Sequence, residues 1–164
     1  MESNKFKAVL GILRLSMGLI FLWAFVDKVW GLGFATAPEN AWLVGGSPTT
    51  GFLQFGVHGP FASFFNSLAG SGLVDWLFML GLLFVGVSLT LGIFVKLGAY
   101  VGALMYFLMY LAVGIQPEHH PFIDDHFVNF FVMLTLAWGD AGKYFGLGNK
   151  WWNTSLVQKY NFLA

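Results

Sequence analysis

The chain has 164 residues, of which 57% are hydrophobic and 10% charged, with no formal net charge and no cysteine. Together with a mean hydropathy of +0.71, this lies outside the range of soluble domains and points to one membrane-embedded domain. The balance excludes a basic nucleic-acid surface, and the missing cysteine excludes disulfides, thiolate metal sites and a cysteine nucleophile. In chain order, the apolar run from Val9 to Trp30, broken by Arg14 and closed by Asp27 and Lys28, predicts a first spanning helix over about 8–30. Lys5, Lys7 and Ala35-Thr36-Ala37 sketch a signal peptide, but the run is too long for one, contains Arg14 and meets Pro38. It is therefore read as a retained helix. Arg14, Gly18, Phe21, Phe25 and Lys28 recur at spacings of four and three, so both cations share a face that should look into a bundle.

Residues 31–72 are too apolar for a solvated loop and are punctuated by glycine and proline. Ser47-Pro48 reads as a cap followed by proline in the first turn of a short helix reaching about Val57, and Pro60 to Leu68 reads as a second. Both are expected to lie in the interface over the outer mouth, as a lid or as a packed apolar cap. The amides of Gly45, Gly46 and Ser47 at such a helix start could receive an anion.

Two further spanning helices are expected over 73–94 and 97–115, joined so closely that they must form an antiparallel hairpin. Gly81, Ser88, Gly92, Gly98 and Gly102 supply the small residues that let such helices approach. A fourth helix is expected over 124–142, capped by Asp124 or Asp125, followed by a tail over 143–164 whose Trp151-Trp152 pair suits an interfacial anchor or a docking contact. The fold class is thus an all-α, antiparallel four-helix transmembrane bundle forming a single domain. Lys5, Lys7, Arg14, Lys96, Lys143, Lys150 and Lys159 fall on one side of it, which predicts that both termini are cytoplasmic in the plasma membrane. Trp30, Trp42, Trp76 and Tyr110 form the expected outer aromatic belt.

The stretch QPEHHPFIDDHF, residues 116–127, holds three of the four histidines and three acidic residues. Its His119, His120, Asp124, Asp125 and His126 match no metal-ligand spacing, so no metal centre is expected. Imidazole beside carboxylates suits proton exchange near neutral pH instead, with His126 and Asn129 on one helix face and Asp125 adjoining.

The run WAFVDKVWGLGFAT, followed by WLVGGSPTTGFL, GPFASFFNSLAG, PEHHPFIDDH and AGKYFGLGNKWW, closely resembles the DoxX/DoxD-like membrane proteins over nearly the whole chain. The resemblance implies a four-helix membrane protein, and relatives include the large subunit of a thiosulfate:quinone oxidoreductase. A reaction of that kind assigns Lys28, Asp27, Gly46, Ser47 and Asn129 to anion binding, His126, His120 and Asp125 to proton exchange, and Arg14, Trp30, Tyr110 and Phe25 to a membrane quinone. No haem, flavin or iron-sulfur motif is present, so a quinone, a partner redox subunit or a homo-oligomer would complete the chemistry. The competing expectation is a non-catalytic anchor or assembly subunit of a larger redox complex. A small-solute transporter ranks behind both, because the polar residues lie near the helix ends.

Overall fold

The computed structural model describes residues 4–113 and 122–163. It is 75% helical, with no strand among the described residues. In chain order, α1 spans Asn4–Trp30, α2 Ala62–Asn66, α3 Gly72–Leu91, α4 Val95–Val113, α5 Asp125–Trp138, α6 Gly148–Trp152 and α7 Ser155–Lys159. Three of these, α1, α3 and α4, are long and apolar enough to cross a membrane.

The fourth long helix is shorter than expected. With 14 residues, α5 extends about 21 Å at the usual helical rise, against a hydrocarbon core of about 30 Å. It stops at Gly139 because Asp140 takes a left-handed conformation with φ 50°, and a 3-10 turn follows over Ala141–Lys143. Its start agrees with expectation: the Asp124 carboxylate caps it by accepting from the Phe127 amide at 2.8 Å.

Buried side chains of α1, α3, α4 and α5 form one apolar core, including Met17 and Phe21, Met79 and Leu89, Ala99 and Ala103, and Met133 and Leu136. Close approach depends on absent side chains. A Cβ on Gly18 would stand 2.7 Å from the Thr90 backbone nitrogen, and one on Gly98 would stand 2.8 Å from the Ser88 Cβ, so α1 meets α3, and α3 meets α4, nearly backbone to backbone. The α3–α4 turn relies on Gly92, whose φ of 82° is left-handed and whose amide returns to the Ser88 carbonyl at 2.9 Å. Outward, Leu19, Ile20, Trp23, Leu77, Leu80, Leu104, Phe107, Val128 and Phe131 are exposed. Such an apolar belt suits a lipid environment.

The bundle has two distinct ends. At one, the tail folds back: the Leu147 amide donates to the Leu91 carbonyl at 2.9 Å, Phe94 packs on Trp151, and Lys143 lies 3.7 Å above the Trp152 ring. The other end carries residues 31–71, with 3-10 turns over Pro38–Asn40 and Trp42–Val44, a wide helical turn over Phe52–Gly56, and α2. The two short helices expected from Ser47-Pro48 to about Val57 and from Pro60 to Leu68 are each cut down to five residues, Phe52–Gly56 and Ala62–Asn66. A small apolar cluster of Leu53, Val57, Phe65 and Ala112 seats them on the end of α4.

Candidate functional site

Two buried carboxylates shape the loop end. Asp27, in the last turn of α1 and 1% exposed, accepts hydrogen bonds from the amides of Phe34 at 3.2 Å and Ala35 at 2.9 Å. Thr36 adds a backbone and a side-chain hydrogen bond to the same carboxylate. The D-K-x-x-G-L-G-F sequence folds this way because Gly31 and Gly33 adopt left-handed φ values of 65° and 83°, turning the chain until its amides face the carboxylate.

Asp75, in the first turn of α3, does the same for the next segment. Its carboxylate accepts from the Ser47 hydroxyl at 2.9 Å, the Thr49 hydroxyl at 2.6 Å and the Thr49 amide at 3.3 Å. Ser47 in turn accepts from the Thr50 amide at 3.1 Å, which is the capping contact expected of Ser47-Pro48. These bonds fasten the roof to the bundle on both sides of Lys28.

Lys28 sits where two spaces meet. Its ammonium lies 5.9 Å from the centre of the Phe78 ring and makes no ion pair among the described residues. On one side is an apolar slot of about 260 Å³, lined by Phe52, Leu53, Phe65, Phe78, Leu108 and Ala112 among others. On the other is a polar crevice of about 630 Å³ under the loop, lined by Thr36, Asn40, Ser47, Thr50 and Gln54 together with Lys28. A groove of about 380 Å³ between α3 and α4 shares Val74, Phe78, Leu108 and Met109 with the slot. One cation thus stands at the boundary between apolar and polar space, an arrangement that suits the head of an amphiphile.

His126 occupies different surroundings. Its Nδ1 lies 2.7 Å from the Asp124 carboxylate, and its ring centre is 6.3 Å from that of Tyr106 in α4. Tyr106 also packs edge-on against Phe21 of α1. Leu104, Leu108 and Ala112 share one face of α4 at four-residue spacing, whereas Tyr106 and Tyr110 share another. The Lys28 slot and the His126 pair therefore lie on opposite sides of that helix. Asp125 is exposed and Asn129 half-buried on α5, while His120 falls outside the described residues.

The remaining residues singled out in the sequence have structural partners. Arg14, wholly buried, donates to the carbonyls of Leu89, Thr90, Tyr144 and Phe145, at the end of α3 where the helix dipole favours a cation. The Gly46 amide is bonded to the Ala41 carbonyl at 3.0 Å and the Gly45 amide to the Trp42 carbonyl at 3.1 Å. Neither is open to an anion. Trp30 is 54% exposed, and Phe25 packs against the core. The Tyr110 hydroxyl donates to the Phe122 carbonyl at 2.8 Å, tying α4 to the start of α5.

Asp75 escaped the sequence reading. Its only signal was a lone carboxylate at the head of an apolar run, which reads equally well as an ordinary acid in a first helical turn. Among the described residues, no three His, Asp or Glu side chains gather closely enough to hold a metal ion. No protein-family model matches the chain, and neither curated proteins nor solved structures yield a match.

Proposed function

We propose that this chain is a DoxX-like, multi-pass protein of the plasma membrane, acting as a quinone-linked oxidoreductase or as a subunit of one. In this reading the quinone head occupies the apolar slot and a carbonyl oxygen accepts from Lys28. Thiosulfate, or another small sulfur anion, approaches the same ammonium through the polar crevice. The observation that carries the reading is the position of Lys28, without an ion-pair partner among the described residues, between the slot and the crevice. An ammonium there offers one charge to ligands from two phases, and low local polarity strengthens the contact.

The electron balance is simple. Two thiosulfate ions join through a new sulfur–sulfur bond to give tetrathionate, releasing two electrons. The quinone takes those electrons and two protons to become quinol. His126, held by Asp124 at 2.7 Å, suits proton exchange but stands across α4 from the slot, so the two protons enter with water through the polar crevice.

A four-helix arrangement with both termini inside completes the proposal. In support, Lys5, Lys7, Arg14, Lys96, Lys143, Lys150 and Lys159 belong to the tail end, while Asp27, Glu39, Asp75, Asp124 and Asp125 belong to the loop end. That asymmetry follows the positive-inside pattern.

The experiment is purification with native lipid, extraction of bound quinone, and assay of thiosulfate-dependent quinone reduction in proteoliposomes. Bound quinone and turnover are expected. Absence of both, with a stoichiometric partner protein recovered instead, would replace this reading with that of an assembly subunit.

A further inference from the structure

The groove between α3 and α4 is walled by Val74, Leu77, Gly81, Val101, Leu104 and Met105 among others, all without charge or hydrogen-bonding side chains. Leu77 and Leu104 on its rim are exposed, so it opens on the apolar belt of the bundle and not on the loop end. Inward it is continuous with the Lys28 slot, because Val74, Phe78, Leu108 and Met109 line both. Gly81 sets its width: a Cβ there would stand 2.8 Å from the Met105 sulfur. Methionines at positions 105 and 109 give the wall a pliable surface that adapts to a chain of irregular shape.

We infer that this groove is a lateral gate and tail site, through which a long-chain quinone slides out of the bilayer until its head reaches Lys28. The inference rests on the redox reading above, and adds that the ligand must carry an apolar tail and arrives from lipid. In water a tail alone would favour any apolar surface. Within a bilayer that preference vanishes, because lipid is as apolar as the groove. Occupancy is then set by the head at Lys28 and by shape, and a groove leading to that cation selects a tailed molecule with a hydrogen-bond-accepting head.

The test places the full-length protein in nanodiscs of neutral phospholipid with a quinone bearing a photoreactive diazirine on its tail. After illumination, labelled peptides are mapped by mass spectrometry. The expected result is label on the α4 segment containing Leu104, Met105 and Leu108, competed by unlabelled quinone. In Gly81→Leu that label falls about tenfold, the factor given by a steric cost of ~1.4 kcal/mol. Leu104→Trp, at an exposed rim position that does not threaten folding, gives the same direction of change. Turnover with a tail-less quinone is retained in both variants.

Label outside the groove, or label unchanged by both substitutions while quinone turnover persists, would overturn the gate and leave the redox reading intact. Groove label displaced by anionic phospholipid and not by quinone would make the groove a lipid site and overturn quinone as its occupant. Absence of competed label together with absence of turnover would remove both readings.

Discussion

The Arg14 guanidinium donates to the Tyr144 carbonyl at 3.0 Å, across 130 residues of chain. That bond joins the first helix to the start of the tail. Further bonds to the carbonyls of Leu89 and Phe145 bring the end of α3 into the same knot. The buried cation is neutralised by no carboxylate among the described residues; aligned carbonyl dipoles solvate it instead.

Arg14→Leu leaves several of those carbonyls without a donor, each costing about 1–3 kcal/mol when buried. A loss of about 3 kcal/mol is expected in denaturant unfolding of the detergent-solubilised protein. Arg14→Lys should fall between, since it keeps the charge without the forked geometry. Wild-type stability in both variants would mean that Arg14 only reaches toward lipid headgroups.

Asp27 plays the matching role at the other end. In Asp27→Ala the amides of Phe34 and Ala35 lose their acceptor, so their hydrogen exchange should quicken markedly, with a stability loss of about 2 kcal/mol. Asp27→Asn keeps one acceptor oxygen and should exchange at an intermediate rate. Unaltered exchange of both amides in Asp27→Ala would show that the turn is held by other contacts.

The tight α1–α3 contact makes a graded prediction about size. Gly18→Leu must displace the backbone at Leu89 and Thr90, which a Cβ would approach to 3.0 and 2.7 Å, and should cost about 3 kcal/mol through overpacking. Gly51→Ala is the control, because nothing lies within 4 Å of its added carbon. Equal thermal stability of the two variants would contradict the close helix approach.

Lys28 and His126, on opposite sides of α4, are expected to answer differently in the same assay. Lys28→Ala should abolish retention of quinone through purification, whereas His126→Ala, across α4 from the slot, should retain quinone and reduce it at close to the wild-type rate. Circular dichroism would verify that both variants remain folded. A wild-type rate in Lys28→Ala would refute the loop-end site.

Much of the helical plan was legible in the residues. The tight α3–α4 hairpin followed from the short break around Val95-Lys96, and the cap at Asp124 from a carboxylate standing just before an apolar run. The shortened α5 was less visible, since the turn at Asp140 depends on contacts made by the tail. The candidate site divided in the same manner. Lys28 stood out as a cation at the end of an apolar helix, but the occupied amides of Gly45 and Gly46 and the anchoring role of Asp75 involve partners far away along the chain.

By itself, the sequence determined the three long apolar helices, although it also predicts a fourth span that α5 is too short to make. It placed most of the cations at one end of the chain's turns. Those are local properties, since an apolar run must satisfy its own backbone polar groups in lipid and does so by forming a helix. Only the tertiary structure decided where each charge went. Arg14 met the carbonyls of the tail, Asp27 and Asp75 held the roof, and Lys28 and His126 came to opposite faces of α4. A buried charge takes the partner that helix crossing brings within hydrogen-bond reach, and spacing along one helix cannot reveal what another helix places against it.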